Sequence, residues 1–277
     1  MQTFSFKLAD LSCASLPDNK GESDLKSIFP AATEAELGTA LTEKLEVGFN
    51  CLYIRQGKTN ILVDTGTGEG QLLAALAQLG LEAKDIDFVI LTHGDRDHIG
   101  GVLEFPRARF IMSEKMLESW TDAEKQEQMV DEFIKLFQNK IAQEALASRE
   151  QARRHFAQAL LPQIKSRIQT VAFENEFLPG FKLIDASGHR TDHTALEISS
   201  EGQTLIHVVD SIRHPVQITY HWASFIDSYP DMVVETNKRL VERILAKDAL
   251  IFGAHLPFPG LARLSRETSG LEWHWVK

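Results

Sequence analysis

Residues 86–101, Ile-Asp-Phe-Val-Ile-Leu-Thr-His-Gly-Asp-Arg-Asp-His-Ile-Gly-Gly, constrain this chain more than any other stretch. Ile86 to Leu91 is a short, largely apolar run with β-branched residues, which reads as a buried strand. Directly behind it, six residues hold His93, Asp95, Asp97 and His98. Residues two apart on an extended chain project to the same side, so His93 and Asp95 form one pair. Asp97 and His98 are adjacent and diverge, a layout that suits two metal ions better than one. The plain alternative is a polar surface turn, but such a turn has no need of two imidazoles and two carboxylates. Gly100-Gly101 is read as freeing the backbone to turn.

The flanking elements give an alternation of strands and helices. Val47–Arg55 and Thr59–Asp64 read as a hairpin closed at Gln56-Gly57-Lys58. Asp64-Thr65-Gly66 follows at once, and taken alone Asp64 is a turn or cap residue. Gln71–Gly80 is an Ala/Leu-rich helix stopped by glycine. Residues 1–46 form an arm, with Thr33-x-x-Glu36 as a capping box. Residues 113–168 form a long helical insertion, capped at Thr121-x-x-Glu124, with apolar residues at Met129, Phe133, Leu136, Phe137, Ile141, Leu146, Phe156 and Leu160. These residues pack on the body or, with Trp120, Phe133, Phe137 and Phe156, wall a pocket. His155 sits in a basic polar run and reads as surface. Strands return from Thr170. Phe177–Ile184 reads as a strand leading into the next His motif, Leu205–Asp210 is a buried strand ending in Asp, Pro230–Lys247 is a helix, and Ala249–Phe252 is the last strand, followed by Gly253-Ala254-His255. His214, Tyr220, His221 and Trp222 read as a loop facing the pocket.

These motifs resemble those of the metallo-β-lactamase fold. Residues 93–98 follow its H-x-H-x-D-H signature, with Asp95 in the place of the second His. Ser187–Thr194 (Ser-Gly-His-Arg-Thr-Asp-His-Thr) follows G-H-T-P-G-H-T, with Thr191-Asp192 in place of Pro-Gly, which leaves Asp192 as an extra carboxylate. The run Ala254-His255-Leu256-Pro257-Phe258-Pro259-Gly260 is similar to the methyl parathion hydrolase-like and acyl-homoserine lactonase-like branch. The resemblance spans about residues 47–275 and implies an α/β four-layer αβ/βα sandwich, built as a single domain over 1–277. It implies two divalent ions, zinc first, with manganese or iron favoured by the oxygen-rich position at Asp95. One ion falls to His93, Asp95 and His193, the other to Asp97, His98 and His255, with Asp210 as the bridge. His189 is then a hydrogen-bonding neighbour, and Asp64 supports the site from behind. Asp97 and Asp210 are the catalytic carboxylates, Asp97 orienting a water made acidic between the ions.

Composition excludes several classes. The formal net charge is −10, from 29 Lys plus Arg against 39 Asp plus Glu, which disfavours nucleic acid or anionic membrane as a partner. Two cysteines, Cys13 and Cys51, have no metal-ligand spacing. No apolar run reaches the roughly 20 residues of a membrane span, and no signal-peptide pattern opens the chain, so a cytoplasmic enzyme is expected. The expected activity is metal-dependent hydrolysis of a small apolar lactone, carboxylic ester or phosphotriester, with a homodimer through the insertion or the arm. A mononuclear iron oxidoreductase or dioxygenase on the same fold, or a non-catalytic ligand-binding homologue, is the alternative.

Overall fold

A computed structural model describes residues 1–121 and 140–276, with backbone alone for 140–150 and Arg154. Two seven-stranded sheets pack face to face. The first runs in sequence order through β1 (Phe4–Leu8), β2 (Leu11–Ser23), β3 (Leu45–Gln56), β4 (Thr59–Val63), β5 (Phe88–Ile90), β6 (Arg109–Ser113) and β7 (Ile168–Val171). Its first four strands are antiparallel and the step from β4 onward is parallel. The second holds β8 (Glu176–Leu178), β9 (Phe181–Asp185), β10 (Thr194–Ser200), β11 (Gln203–Val209), β12 (Leu250–Gly253), β13 (Leu261–Glu267) and β14 (Gly270–Trp275). Only β11 and β12 pair in parallel there.

Strand periodicity decides which core each side chain joins. In β4, Ile61 and Val63 face the other sheet, where they meet Leu183, Leu196, Ile198 and Phe252. Leu62 between them faces outward and packs with Leu72 and Leu76 of the helix Leu72–Gln78, and with Met116 and Trp120 of the helix Glu114–Thr121. The outer face of the second sheet (Ile206, Val208, Ile251) is covered by Leu240, Val241 and Ile244 of the helix Pro230–Ala246. Both sheets are therefore buried on both faces, giving the helix–sheet–sheet–helix layering. Parallel strands such as β4, β5 and β11 read as nearly continuous apolar runs for this reason.

The arm is more ordered than its polar composition suggests. β2 pairs with β3 along its whole length, with one irregularity between Pro17 and Asn19 that takes up the proline. The capping box forms, with the Thr33 N–H and hydroxyl both donating to Glu36. Leu25, Ile28, Phe29 and Leu41 of the arm enclose Trp222. Trp222 is thus a packing residue, with the Tyr220 ring stacked on it at 4.5 Å, and of the 214–222 group only His214 reaches the pocket described below.

Where it is described, the insertion packs on the body. Thr121 is the last described residue of the helix Glu114–Thr121, and its hydroxyl donates to Leu117 O. Trp120 is buried in the outer core and Phe156 packs against it, under the Arg96 guanidinium at 5.7 Å. Glu124, Met129, Phe133, Leu136 and Phe137 lie outside the described residues, as do the side chains of Ile141 and Leu146.

His207 on β11 is a buried titratable group in this core. Val209 N–H donates to its Nδ1 at 3.0 Å, and its ring sits edge-on to Phe252. Burial, with His98 nearby, depresses its pKa to about 3. The unfolded imidazole binds a proton near pH 6.5, so stability is full above that value and falls as the pH drops toward 3. Between pH 7 and pH 5 this one group costs about 2 kcal/mol, roughly 1.5 units at 1.36 kcal/mol each. Urea unfolding at the two pH values should therefore show a smaller stability loss in His207→Leu than in the natural chain, by about that amount.

Candidate metal centre

Six strand ends and loops converge at one edge where the two sheets meet. β5 ends at Ile90, and Thr92-His93 follows with its backbone held by Asp64: Thr92 N–H donates to Asp64 Oδ1 at 2.9 Å and Thr92 Oγ1 to Oδ2 at 2.8 Å. Asp64 adopts a positive φ of 61°, a conformation unusual outside glycine, which aims its carboxylate back across β5. The short helix Arg96–Ile99 then presents Asp97 and His98. Gly100 and Gly101 are required here for space and not for turning. Gly100 has an ordinary helical φ of −58°, but a Cβ on it would lie 2.1 Å from Thr67 O, and one on Gly101 2.5 Å from Thr65 O.

Each imidazole of the cluster is oriented through its Nδ1. His98 Nδ1 meets Asp64 Oδ2 at 2.7 Å, His189 Nδ1 meets Asp227 Oδ1 at 2.8 Å, His255 Nδ1 meets Gly48 O at 2.9 Å, and His93 Nδ1 meets Thr92 Oγ1 at 3.1 Å. Tying one ring nitrogen to a carboxylate, carbonyl or hydroxyl turns the other, with its lone pair, toward a metal. Those Nε2 atoms of His93, His98, His189 and His255, together with Asp210 Oδ1, are buried without a hydrogen-bond partner. A buried unsatisfied polar group costs about 1–3 kcal/mol, so five in one place approach the whole stability of a domain, about 5–15 kcal/mol. Their convergence fits a cation, which satisfies all of them together.

The donors divide into three overlapping groups: His93, Asp95 and His189; Asp97, His98 and His255; and His93, His98 and Asp210. Asp210 stands between the first two. Its Oδ1 is 3.2 Å from both His98 Nε2 and His255 Nε2, and its Oδ2 is 3.2 Å from His189 Nε2 and 3.8 Å from His93 Nε2. Asp95 Oδ2 is 3.5 Å from His189 Nε2 and 3.8 Å from His93 Nε2. Asp97 Oδ2 is 3.4 Å from His255 Nε2 and 3.7 Å from His98 Nε2.

The geometry groups the histidines differently from the expectation. His189, not His193, joins the first group. Both ring nitrogens of His193 are spent on backbone: Nδ1 meets Ala186 O at 2.9 Å, and Nε2 accepts the Asp210 N–H at 3.2 Å. It is a buried neutral imidazole that fixes the backbone of Asp210. Burial, with the adjacent His189, lowers its pKa to about 3. A tertiary contact singles out His189: the loop Ser224–Ser228 folds back, with Ser228 N–H on His189 O, and brings the Asp227 carboxylate to Nδ1. Asp192 lies away from the cluster, accepting from Ser119 Oγ at 3.1 Å and Trp120 Nε1 at 3.3 Å.

The electrostatics favour a bound cation. Burial opposes the charge on Asp210, but Arg213, His255, His98 and His189 outweigh it and hold the carboxyl well below its usual range. Asp95 is likewise held low against burial, by Arg190 and His93. Burial, then His98, keeps His93 neutral. At His98 burial is overcome by Asp210, Asp97 and Asp64, which draw its pKa well above normal. The same three carboxylates would attract a metal.

A cavity of about 310 Å³ opens over these groups. Asp95, Asp97, Asp210 and His255 line its floor, Ile28, Leu45, Val47 and Phe49 one apolar wall, and Phe225 and Ile226 its mouth. Ile28 of the arm and Leu45, Val47 and Phe49 of β3 supply this wall, and Trp120 and Phe156 are not among its described lining.

A family model described as the metallo-beta-lactamase superfamily matches residues 47–255. The structure of AidC, a dizinc quorum-quenching lactonase in complex with a product N-hexanoyl-L-homoserine, is similar with a TM-score of 0.84 at 27% identity, over 100% of this chain and 98% of that one. The hydrolase AbOPH in the beta lactamase superfamily gives 0.85 at 22% identity, over 99% and 97%. Metallo-beta-lactamase domain-containing protein 1 of Mus musculus is 47% identical over 88 residues, which is 31% of this chain and 34% of that protein. The curated relatives are matched over about a third of their length or less.

The exchange of His189 for His193 has a direct check. His189→Ala should lower the metal content of the purified chain by about half, because it removes one neutral donor of a three-donor set. His193→Ala should keep the metal and lose about 2 kcal/mol or more in denaturant unfolding, as it strips a buried backbone N–H of its acceptor. Elemental analysis and urea titration of both variants distinguish the two roles.

Proposed function

Because the chain belongs to the metallo-beta-lactamase superfamily, we propose that it is a binuclear metal-dependent hydrolase acting on a small lactone or carboxylic ester with an apolar acyl chain. The observation that carries this reading is the split carboxylate of Asp210, with one oxygen toward His98 and His255 and the other toward His93 and His189. His93, Asp95 and His189 would hold one divalent cation, and Asp97, His98 and His255 the other, with Asp210 shared. Zinc suits the four imidazoles, while the three carboxylates also admit manganese or iron. A cation pair in this position supplies Lewis acidity and a water that ionises near neutral pH.

The rest of the chemistry belongs to side chains of this chain. Asp97 is the most accessible carboxylate of the centre, at 26% side-chain exposure, and lies on the cavity floor. It is placed to accept a hydrogen bond from a nucleophilic water and hold it toward the substrate carbonyl. Arg213 donates through Nη2 to Asp210 Oδ2, and its side chain lines the same cavity. Its guanidinium balances the carboxylate charge and offers further donors to an oxygen that becomes negative during hydrolysis. No Ser or Cys nucleophile is needed, and both cysteines are buried thiols whose pKa burial raises.

The cavity supports the substrate class. Its volume lies near the lower end of small-molecule pockets, enough for a ring or ester group with a short tail. Ile28, Leu45, Val47, Phe49 and Phe225 offer apolar surface to that tail. The comparison with AidC, a dizinc lactonase at 27% identity over the whole chain, agrees with this reading.

Asp210→Asn should lower metal content and reduce hydrolysis of lactones and aryl esters by about 100-fold or more, with far-UV circular dichroism unchanged. Normal turnover and metal content in that variant would overturn the binuclear assignment. Phe225 is 55% exposed at the cavity mouth. Phe225→Ala should raise KM about fivefold for hexanoyl or longer substrates, equivalent to about 1 kcal/mol of lost apolar contact, and leave acetyl esters unaffected. Equal effects on both chain lengths would remove Phe225 from the acyl site.

A further inference from the structure

The two ligand groups differ in one respect that their composition hides. Each has one carboxylate of its own beside two imidazoles, but only one of these carboxylates is already claimed by a cation. Arg190 grips both oxygens of Asp95, with Nε donating to Oδ1 at 3.0 Å and Nη2 to Oδ2 at 2.7 Å. Its Nη1 donates to the carbonyls of His189 at 2.7 Å and Ile226 at 2.6 Å, and to Ser228 Oγ at 3.1 Å. That side chain is 5% exposed and that of Asp95 15%, so the pair is screened less than a surface pair. A second guanidinium, Arg153, lies 3.6 Å from Asp95 Oδ1. Asp97 contacts only His98 and His255 among the described ion pairs, and it opens to the cavity.

Charge follows directly. Leaving aside the shared Asp210 and counting each imidazole as the neutral donor that metal binding requires, the group of Asp97, His98 and His255 carries −1. The group of His93, Asp95 and His189 carries −1 from Asp95 and +1 from Arg190, a net of zero. A divalent cation entering the first group meets an uncompensated carboxylate. One entering the second shares its carboxylate with a guanidinium and is repelled by that same guanidinium. A carboxylate offers about four acceptor positions, so Asp95 keeps capacity for a metal, and Arg190 holds it in a fixed orientation.

We propose that the two metal positions are unequal and fill in order. The Asp97–His98–His255 position with Asp210 takes the first cation tightly. The His93–Asp95–His189 position takes the second at least about tenfold more weakly, because Arg190 neutralises Asp95. This rests on the binuclear reading above and adds the order and its cause. At limiting metal the chain then holds its single cation at the Asp97–His98–His255 position.

The test is stepwise metal withdrawal from the full chain. The chain loaded with Co²⁺ is dialysed against graded chelator, and cobalt per chain is measured by elemental analysis and by its visible absorption. A plateau at about one cobalt per chain is expected, with midpoints at least tenfold apart in free Co²⁺. Asp95→Asn should lose the weak step and keep the tight one at the same midpoint, and Asp97→Asn should weaken the tight step. Should Asp95→Asn fold poorly with Arg190 left unpaired, Asp95→Asn/Arg190→Gln removes both charges and should give the same single tight step. Release of two cobalt ions at one midpoint, or loss of the tight step in the Asp95 variants, overturns the order while leaving the binuclear centre standing. A natural chain that takes up no Co²⁺ overturns the metal centre itself, and the order with it.

Discussion

The structure depends on a buried set of imidazoles that the protein by itself does not satisfy. Four Nε2 atoms point at one another across a few ångströms, and each ring is held there by a bond to its other nitrogen. Buried polar atoms ordinarily find partners within the fold. Here the partners are arranged around the cluster and not within it: Asp64, Asp227, Thr92 and Gly48 face outward-turned Nδ1 atoms. The same geometry that would destabilise an ordinary core prepares a cation site.

Two sheets are needed to build that arrangement. β4 and β5 deliver Asp64, His93, Asp97 and His98 from the first sheet, while β11 and β12 deliver Asp210 and His255 from the second. The apolar contact between the sheets fixes their relative height, and so fixes the separation of the two ligand sets. Cross-sheet bonds lock the junction at its rim. Asn50 Nδ2 on β3 donates to Leu256 O at 2.8 Å, and Asn50 N–H donates to Ala254 O at 2.9 Å, on either side of His255. The metal position is therefore a property of how the halves pack.

Charge is distributed with similar economy. Each of the buried carboxylates Asp95 and Asp210 is paired with its own arginine, Arg190 and Arg213, and Asp64 and Asp227 are paired with imidazoles. Of the three carboxylates of the centre, Asp97 is the one with no arginine among the described ion pairs. An excess of acidic groups at the floor of an apolar cavity draws cations in, and leaves one carboxylate free to meet substrate and water.

Much of this was legible in the chain itself. Local signals are carried by short-range physics: the apolar run before His93, the turn at Gly57, the glycine after the 72–78 helix and the Thr33 capping box all appear as read, because period, turn chemistry and capping act within a few residues. The density of His and Asp behind one strand marked the site and its chemistry before any fold was known. Choices between neighbours were not legible. His189 and His193 sit four residues apart in the same motif, and the distinction between them is made by Asp227, thirty-eight residues downstream of His189, and by the backbone of Asp210. Nothing local marks Arg190 until the fold sets it against Asp95, ninety-five residues away in sequence. The apolar wall of the cavity comes from an arm whose composition is polar, since only a few of its residues face inward. The sequence by itself determined which residue types and which strands make a metal centre, because those are local. The tertiary structure alone decided which nitrogen of which histidine is free, and which carboxylate is already paired, because those depend on contacts between distant parts of the chain.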